Sequence, residues 1–368
     1  MKKMKKTFCI VLSVVLVIAS VAAFMFIPRK GTPKDFEWDG KTINYEDIPT
    51  LEKTPGKDYK ILMFSDTQLT FLTQGTKSVK EVMRKTLDKT QPDFVVFSGD
   101  NVAGITTHFQ IDIFISLVEE LAEEYGFYWS TVFGNHDSDL GADLNYQVDK
   151  LLEAEHCLFV KTPKNVKGYS NFAINVVEND VPVYSLYFVD SNMDSFHYIT
   201  EEGNEAVGYE AIDFTQLLYI KALADATAKQ NSGEYTNALA ISHYPLKQFV
   251  TAYNLAVSDT PYDEKGNKAF LVEGERREGE GCSYMDIGVF DLYKSIGVKT
   301  ILCGHEHTND YVVNYLDMTM VYGVKTGYFS THDDAVQGGT LITIDKDSNA
   351  NIKQMYIPVS YTHLRAHE

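Results

Sequence analysis

The chain has 368 residues, 44% hydrophobic and 23% charged, with 51 acidic against 33 basic side chains and a formal net charge of −18. This composition excludes a disordered or collagen-like chain and leaves ample apolar material for a packed core. Six of the basic residues fall in the first thirty positions with no acidic residue among them, so the remainder is more acidic still and unsuited to nucleic acid or an anionic membrane surface. Such a chain favours small ligands held at a local positive site, which bound cations could create.

At the amino end, Lys2, Lys3, Lys5 and Lys6 precede an uncharged run from Thr7 to Ile27, closed by Pro28-Arg29-Lys30. About 20 residues suffice to cross a bilayer. The heavier positive charge on the amino side keeps that side cytoplasmic and exports the rest. Residues 1–30 are therefore expected to be a signal anchor, giving a single-pass membrane protein with an extracellular domain. Ser20 and Ala22 stand at cleavage-like spacing, which leaves a removed signal peptide and secretion as the alternative. Membrane contact is expected through this segment only. Residues 31–58 are polar, with scattered Pro and Gly, and read as a linker or lead-in hairpin.

Tyr59–Ser65 is an apolar strand running into Asp66-Thr67-Gln68, and Lys77–Lys89 has helical spacing. Asp93–Ser98 is a second strand, running into Gly99-Asp100-Asn101; Phe109–Tyr125 is a helix. Phe127–Val132 is a third strand, reaching Gly134-Asn135-His136-Asp137. This β-α-β-α-β order implies parallel strands with right-handed crossovers. Ser170–Val177 and Val181–Val189 read as a hairpin, and Ala211–Gln230 as a helix. Ala238–Ser242 is a strand ending at His243. Ser258–Cys282 reads as the longest irregular stretch, a possible substrate-side loop. Ile287–Ile296 is a helix, and Thr300–Cys303 a strand running into Gly304-His305-Glu306-His307. Tyr311–Asn314, Met318–Val324, Thr340–Ile344 and Ile352–Ile357 close the chain as antiparallel strands. The expected fold is α/β (α+β): two packed mixed sheets flanked by helices, one domain over residues 59–358. Residues 359–368 lack periodicity and are expected to be a non-native tail, His363 and His367 included. Cys157, Cys282 and Cys303 are widely spaced, which fits core thiols, or one disulfide plus a free thiol, and not a zinc knuckle.

Five strands thus end in polar clusters: Asp66/Gln68, Asp100/Asn101, Asn135/His136/Asp137, His243 and His305/His307. Open α/β sheets build their sites at such carboxyl ends. Carboxylate, imidazole and amide ligands without thiolate suit Mn, Fe or Zn. A carboxylate can bridge two such ions, and a pair about 3.5–4 Å apart clamps an in-line phosphoryl displacement.

In order, the blocks SDTQ, SGDN, GNHD, ISHYP and CGHEH resemble the calcineurin-like metallophosphoesterase superfamily, nearest its purple-acid-phosphatase-related bacterial and fungal branch. The resemblance covers roughly residues 59–358. It implies a four-layer α/β/β/α sandwich, two metal ions and hydrolysis of a small phosphoester. It places Asp66 and His307 on the first metal, Asp100 as bridge, and Asn135, His243 and His305 on the second. His136 becomes the general acid, and a metal-bridging hydroxide the nucleophile. Two positions depart from the pattern. Gln68 stands where the family has His, as a weaker ligand or a donor behind the ligands. Ala103 replaces the Asp or Tyr found three residues after the bridging Asp, so no tyrosinate colour is expected and His136 needs another orienting group, for which Asp137 is the candidate. Phosphomonoesters are the expected substrates. The alternatives are a diesterase for cyclic or lipid phosphates and a catalytically weak metal-containing binding protein. Outside the motifs, His332 and Arg276-Arg277 are possible substrate contacts, whereas His108, His156 and His197 are expected at the surface. The oligomeric state is not legible.

Overall fold

The computed structural model describes residues 11–21, 29–70, 73–104, 107–192, 196–199, 203, 205–283 and 285–357. Of the uncharged amino-terminal run only residues 11–21 fall among these, and they are helical. The rest of the expected anchor, Cys9, and the expected tail at 359–368 lie outside the described residues. Among the described residues no helix is long and apolar enough to cross a membrane.

The strands form where β-branched and aromatic residues run together. The smaller sheet contains β2 (Tyr59–Phe64), β3 (Phe94–Phe97) and β4 (Tyr128–Thr131), mutually parallel. β3 consists of Phe-Val-Val-Phe, buried on both faces as a central parallel strand should be. Crossover helices α1 (Thr73–Thr90) and α2 (Thr107–Tyr125) join these strands and cover one face, packing Val79, Met83, Leu87, Ile111 and Phe114 into the core. Two late strands, β14 (Gly338–Ile344) and β15 (Ala350–Tyr356), complete this sheet in antiparallel fashion beside β2.

The larger sheet has eight strands in the order β1-β5-β6-β9-β11-β13-β12-β10. They are β1 (Thr50–Glu52), β5 (Phe172–Glu178), β6 (Val181–Phe188), β9 (Asn237–Ile241), β10 (Ala269–Glu273), β11 (Val298–Cys303), β12 (Val312–Tyr315) and β13 (Met318–Tyr322). β5 and β6 meet at Asn179-Asp180, both with positive φ (51° and 64°), the primed turn that Asn and Asp tolerate best. A separate hairpin, β7 (Phe196–Ile199) and β8 (Glu205–Gly208), stands apart. Alternation along the strands defines two faces. Leu239, Ile241, Leu302 and Val321 point into the core shared with the small sheet. Ala238, Ala240, Ile301, Cys303 and Met320 face the second core, under α4 (Phe214–Gln230), α5 (Lys247–Ala256) and α6 (Val289–Ser295). The result is the expected four-layer sandwich: helices, small sheet, large sheet, helices.

Elements not legible in the pattern are β1, the β7–β8 hairpin, α3 (Leu144–Glu153), α5, and β10, which lies inside the stretch read as irregular. β10 is an edge strand with Phe270, Leu271 and Val272 exposed, so it lacks the burial signal of an inner strand. Residues 31–58 pack onto the body and do not dangle from it. β1 pairs in parallel with β5, Lys34 Nζ donates to the carbonyls of Val166 (2.6 Å) and Gly168 (2.8 Å), and Trp38 meets Tyr219 edge-on. Cys157, Cys282 and Cys303 are all free thiols, and Cys303 is buried.

Candidate metal centre

The carboxyl ends of six strands converge where the two sheets meet. β2 delivers Asp66 and Gln68, β3 delivers Asp100, and β4 leads to Asn135 and His136. β9 ends at His243, β11 at His305 and His307, and β13 leads to Lys325. Four of these residues hold a left-handed backbone: Asp66 (φ 49°), Gln68 (39°), Asp100 (50°) and His305 (79°). Strain of that kind in non-glycine residues clusters at functional sites, where the surrounding structure holds it in place. Two glycines make the approach possible. A Cβ on Gly134 would collide with Asp100 and His243, and one on Gly304 with Ser65, Asp66 and Ser98. Only glycine lets these loops come so close.

At the centre, Asp66, Asp100 and His243 are fully buried, and one ligand atom from each lies within 4.8 Å of the others. His243 Nδ1 sits 2.9 Å from the Ser98 carbonyl, which it meets as donor. That bond aims Nε2 at Asp100 Oδ1 (3.4 Å) and Asn135 Oδ1 (3.2 Å). Asp66 Oδ2 accepts from the Ser65 hydroxyl and from the His305 backbone N–H at 3.1 Å. Asp66 Oδ1 is buried without a hydrogen-bond partner, and His307 Nε2 stands 3.6 Å from it. Burial alone would raise Asp66, but His307, His243 and Lys325 hold it far below the ordinary carboxylate range. Asp100 is likewise raised by burial yet held at about 2 by His243 and His136. Burial lowers His243, but Asp100 and Asp66 push it up to about 10. Two ionised carboxylates in a dry pocket, one with an orphaned oxygen, call for positive charge. The carboxylate, imidazole and amide donors fit a Mn, Fe or Zn ion there.

His136 is half-buried beside this trio, its Nε2 4.0 Å from Asp100 Oδ2. Its Nδ1 bonds the Asp139 carboxylate at 3.1 Å. That bond raises His136 to about 9, against burial and with help from Asp100. Asp139 is held in turn by the Gly104 N–H at 2.7 Å. The orienting group is therefore Asp139 and not Asp137. The chain kinks at Ser138–Leu140, between two short 3-10 turns within Asn135–Gly141, and the kink brings Asp139, three residues on, against His136. Asp137 is buried and accepts from the Gly134 and Val102 N–H groups and from Asn101 Nδ2, bracing the loop. Burial, with Asp100 nearby, raises its carboxyl to about 8.

The amide of Gln68 is bonded at both ends. Its Nε2 donates to Asp100 Oδ2 (3.1 Å), and its Oε1 accepts from Lys325 Nζ (2.8 Å). Lys325, only 2% exposed, also donates to the Asp66 carbonyl at 3.2 Å. Burial lowers its ammonium to about 8, with Asp66 and Asp100 opposing. Sequence reasoning missed Lys325, although it follows an apolar strand just as the motif residues do. His305 stands beside the trio and outside it. Its ring packs against Tyr209, Tyr244 and His243 at centroid distances of 4.4, 4.7 and 5.1 Å, and its Nε2 is 3.7 Å from Glu306 Oε1. Burial and His243 lower it to about 3. Burial raises neighbouring Glu306 to about 7, while Tyr322 and the Gly281 N–H hold its oxygens.

The remaining candidates are placed by structural bonds. Arg277 braces Asp310 (2.7 Å) and the Thr308 carbonyl, and Arg276 covers Tyr253. His332 turns to the Ser330 carbonyl and Asp334. His197 is exposed as expected, but His108 is buried within α2, and His156 is half-buried against Glu119.

The calcineurin-like phosphoesterase family model matches residues 59–309. Among curated proteins, the chain is 27% identical over 270 residues to "Probable inactive purple acid phosphatase 28" of Arabidopsis thaliana, covering 67% of this chain and 61% of that one. It is 28% identical over 240 residues to "Phosphatase DCR2" of Saccharomyces cerevisiae, covering 62% of this chain and 38% of that one. The chain thus spans less than two thirds of the length of either relative. The matched segment contains every strand end that feeds the buried trio, and the chain belongs to the calcineurin-like phosphoesterase family.

Proposed function

We propose that this protein is a metal-dependent phosphoesterase acting on small phosphomonoesters. The observation that carries the reading is the convergence of Asp66, Asp100 and His243, with Asp66 Oδ1 left orphaned, at the strand ends of both sheets. Asn135, His305 and His307 border the trio and would complete the ligand set. Metal bound there would supply Lewis acidity and a lowered water pKa. The chain's own residues do the rest. The buried carboxylates exclude an unpaired anion until positive charge is present, and then set its position. His136, protonated and steered by Asp139, presents Nε2–H to the oxygen that leaves phosphorus. No covalent phospho-enzyme is required. The basic amino-terminal cluster and uncharged run support export, with the catalytic domain outside the membrane or released from it.

The test is turnover of 4-nitrophenyl phosphate and bis-4-nitrophenyl phosphate by the full chain, with and without Mn, beside Asp100→Asn. Monoester turnover that needs Mn and vanishes in Asp100→Asn is expected; diester turnover alone would reassign the substrate class. A second reading, a catalytically weak binding protein, is favoured by the capture of the Gln68 oxygen by Lys325. The description of one relative as a probable inactive phosphatase accords with it. Under that reading the chain binds Mn and turns over neither ester.

A further inference from the structure

Lys325 is a buried cation inside the site that the family motifs do not include. Its Nζ bridges the Asp66 carbonyl and Gln68 Oε1, while the other end of the Gln68 amide donates to Asp100. A lysine ammonium can only donate, so the Gln68 oxygen is fixed toward it and away from the carboxylates. Only one set of converging acidic and imidazole ligand atoms exists among the described residues, namely Asp66, Asp100 and His243. A second ion between Asp66 Oδ1 and His307 Nε2, which are 3.6 Å apart, would lack the Gln68 oxygen, which Lys325 holds, and would face the ammonium bonded to the Asp66 carbonyl.

We propose that Lys325 is a positioning residue that supplies the second positive charge of this site, so that the chain takes one metal ion tightly, at Asp66, Asp100 and His243, and Gln68 is a strut and not a ligand. This rests on the metal-dependent reading of the site. Lys325 and Gln68 act as a pair: the lysine offsets the two carboxylates and the glutamine carries its orientation across to Asp100. A substrate phosphoryl group would then meet one metal ion and one fixed ammonium in place of two metal ions.

The experiment measures bound metal per chain by elemental analysis, and affinity by Mn titration calorimetry, on the full-length wild type, Lys325→Met, Gln68→His and the double variant. The expected wild-type result is one tight equivalent. In the double variant a second equivalent is expected to tighten on the order of tenfold to a hundredfold, the usual scale for groups behind metal ligands. Lys325→Arg keeps the charge and is expected to keep one equivalent, which a purely structural role for the side chain would not require. Two tight equivalents in the wild type overturn the proposal alone. One equivalent in every variant overturns the role of Lys325. If Lys325→Met does not fold, Gln68→His carries the test: with the ammonium in place it gains no tight second equivalent, and gaining one overturns the proposal. No bound Mn in any folded variant overturns both the proposal and the metal-dependent reading, so the two failures are distinct.

Discussion

In the proposed mechanism, His136 and Asp139 form the pair on which proton delivery depends. The carboxylate holds the imidazolium by raising its pKa to about 9. A general acid works only while protonated, so activity falls as pH rises through that value. Asp139→Asn removes the main cause of the shift and lets His136 fall toward its ordinary range. The alkaline limb of the pH–rate profile should therefore move down by about one to two pH units, with metal content unchanged. An unmoved limb would assign the limb to another group. Most ligand-type residues here were legible because each motif ends a strand. Asp139 was not legible because the adjacent Asp137 is the nearer carboxylate in sequence, whereas a kink at Ser138–Leu140 brings Asp139 against the histidine. Lys325 was missed because a single lysine after a strand carries no motif; its meaning comes from folding back onto Asp66 and Gln68.

At the scale of elements, β3, β4 and β11 reach the site through Gly99, Gly134 and Gly304. Gly304→Ala would push a methyl group into Ser65, Asp66 and Ser98 and separate β11 from β2. Overpacking of this kind typically costs about 1–3 kcal/mol, so the melting temperature should drop and Mn affinity fall with it. A variant with wild-type melting and Mn binding would show that the close approach is not required. Away from the site, Asp213 caps α4, accepting from the Thr215 N–H at 2.7 Å in a capping box with Gln216. Asp213→Ala should cost about 1 kcal/mol in thermal unfolding and leave Mn binding intact. The buried parallel strands were readable from their continuous apolar runs, since burial on both faces leaves one kind of residue. The edge strand β10 and the helices α3 and α5 were not. An edge strand exposes its apolar residues, and short helices are specified more by what they pack against than by their own spacing.

For the whole molecule, two sheets contribute residues to one pocket, so metal binding should staple the sandwich. An ion that binds only the folded state stabilises it by about 2.7 kcal/mol at a hundredfold excess over its Kd. Mn should therefore raise the melting temperature of the wild type, a chelator should reverse the rise, and Asp100→Asn should show neither effect. The layer architecture was legible because the β-α-β order forces a parallel sheet, while the linker or lead-in hairpin read over residues 31–58 gave no sign of the strand β1 within it. Ile48, Leu51 and Lys53 are buried there, a fact that only the partner strand β5 reveals. The most direct test of the central claim is anomalous diffraction at the Mn edge from crystals of the wild-type chain grown with Mn. The structure predicts a peak bounded by Asp66, Asp100 and His243, within reach of Asn135. A map with no peak in that pocket, or with Mn only elsewhere, would contradict the account.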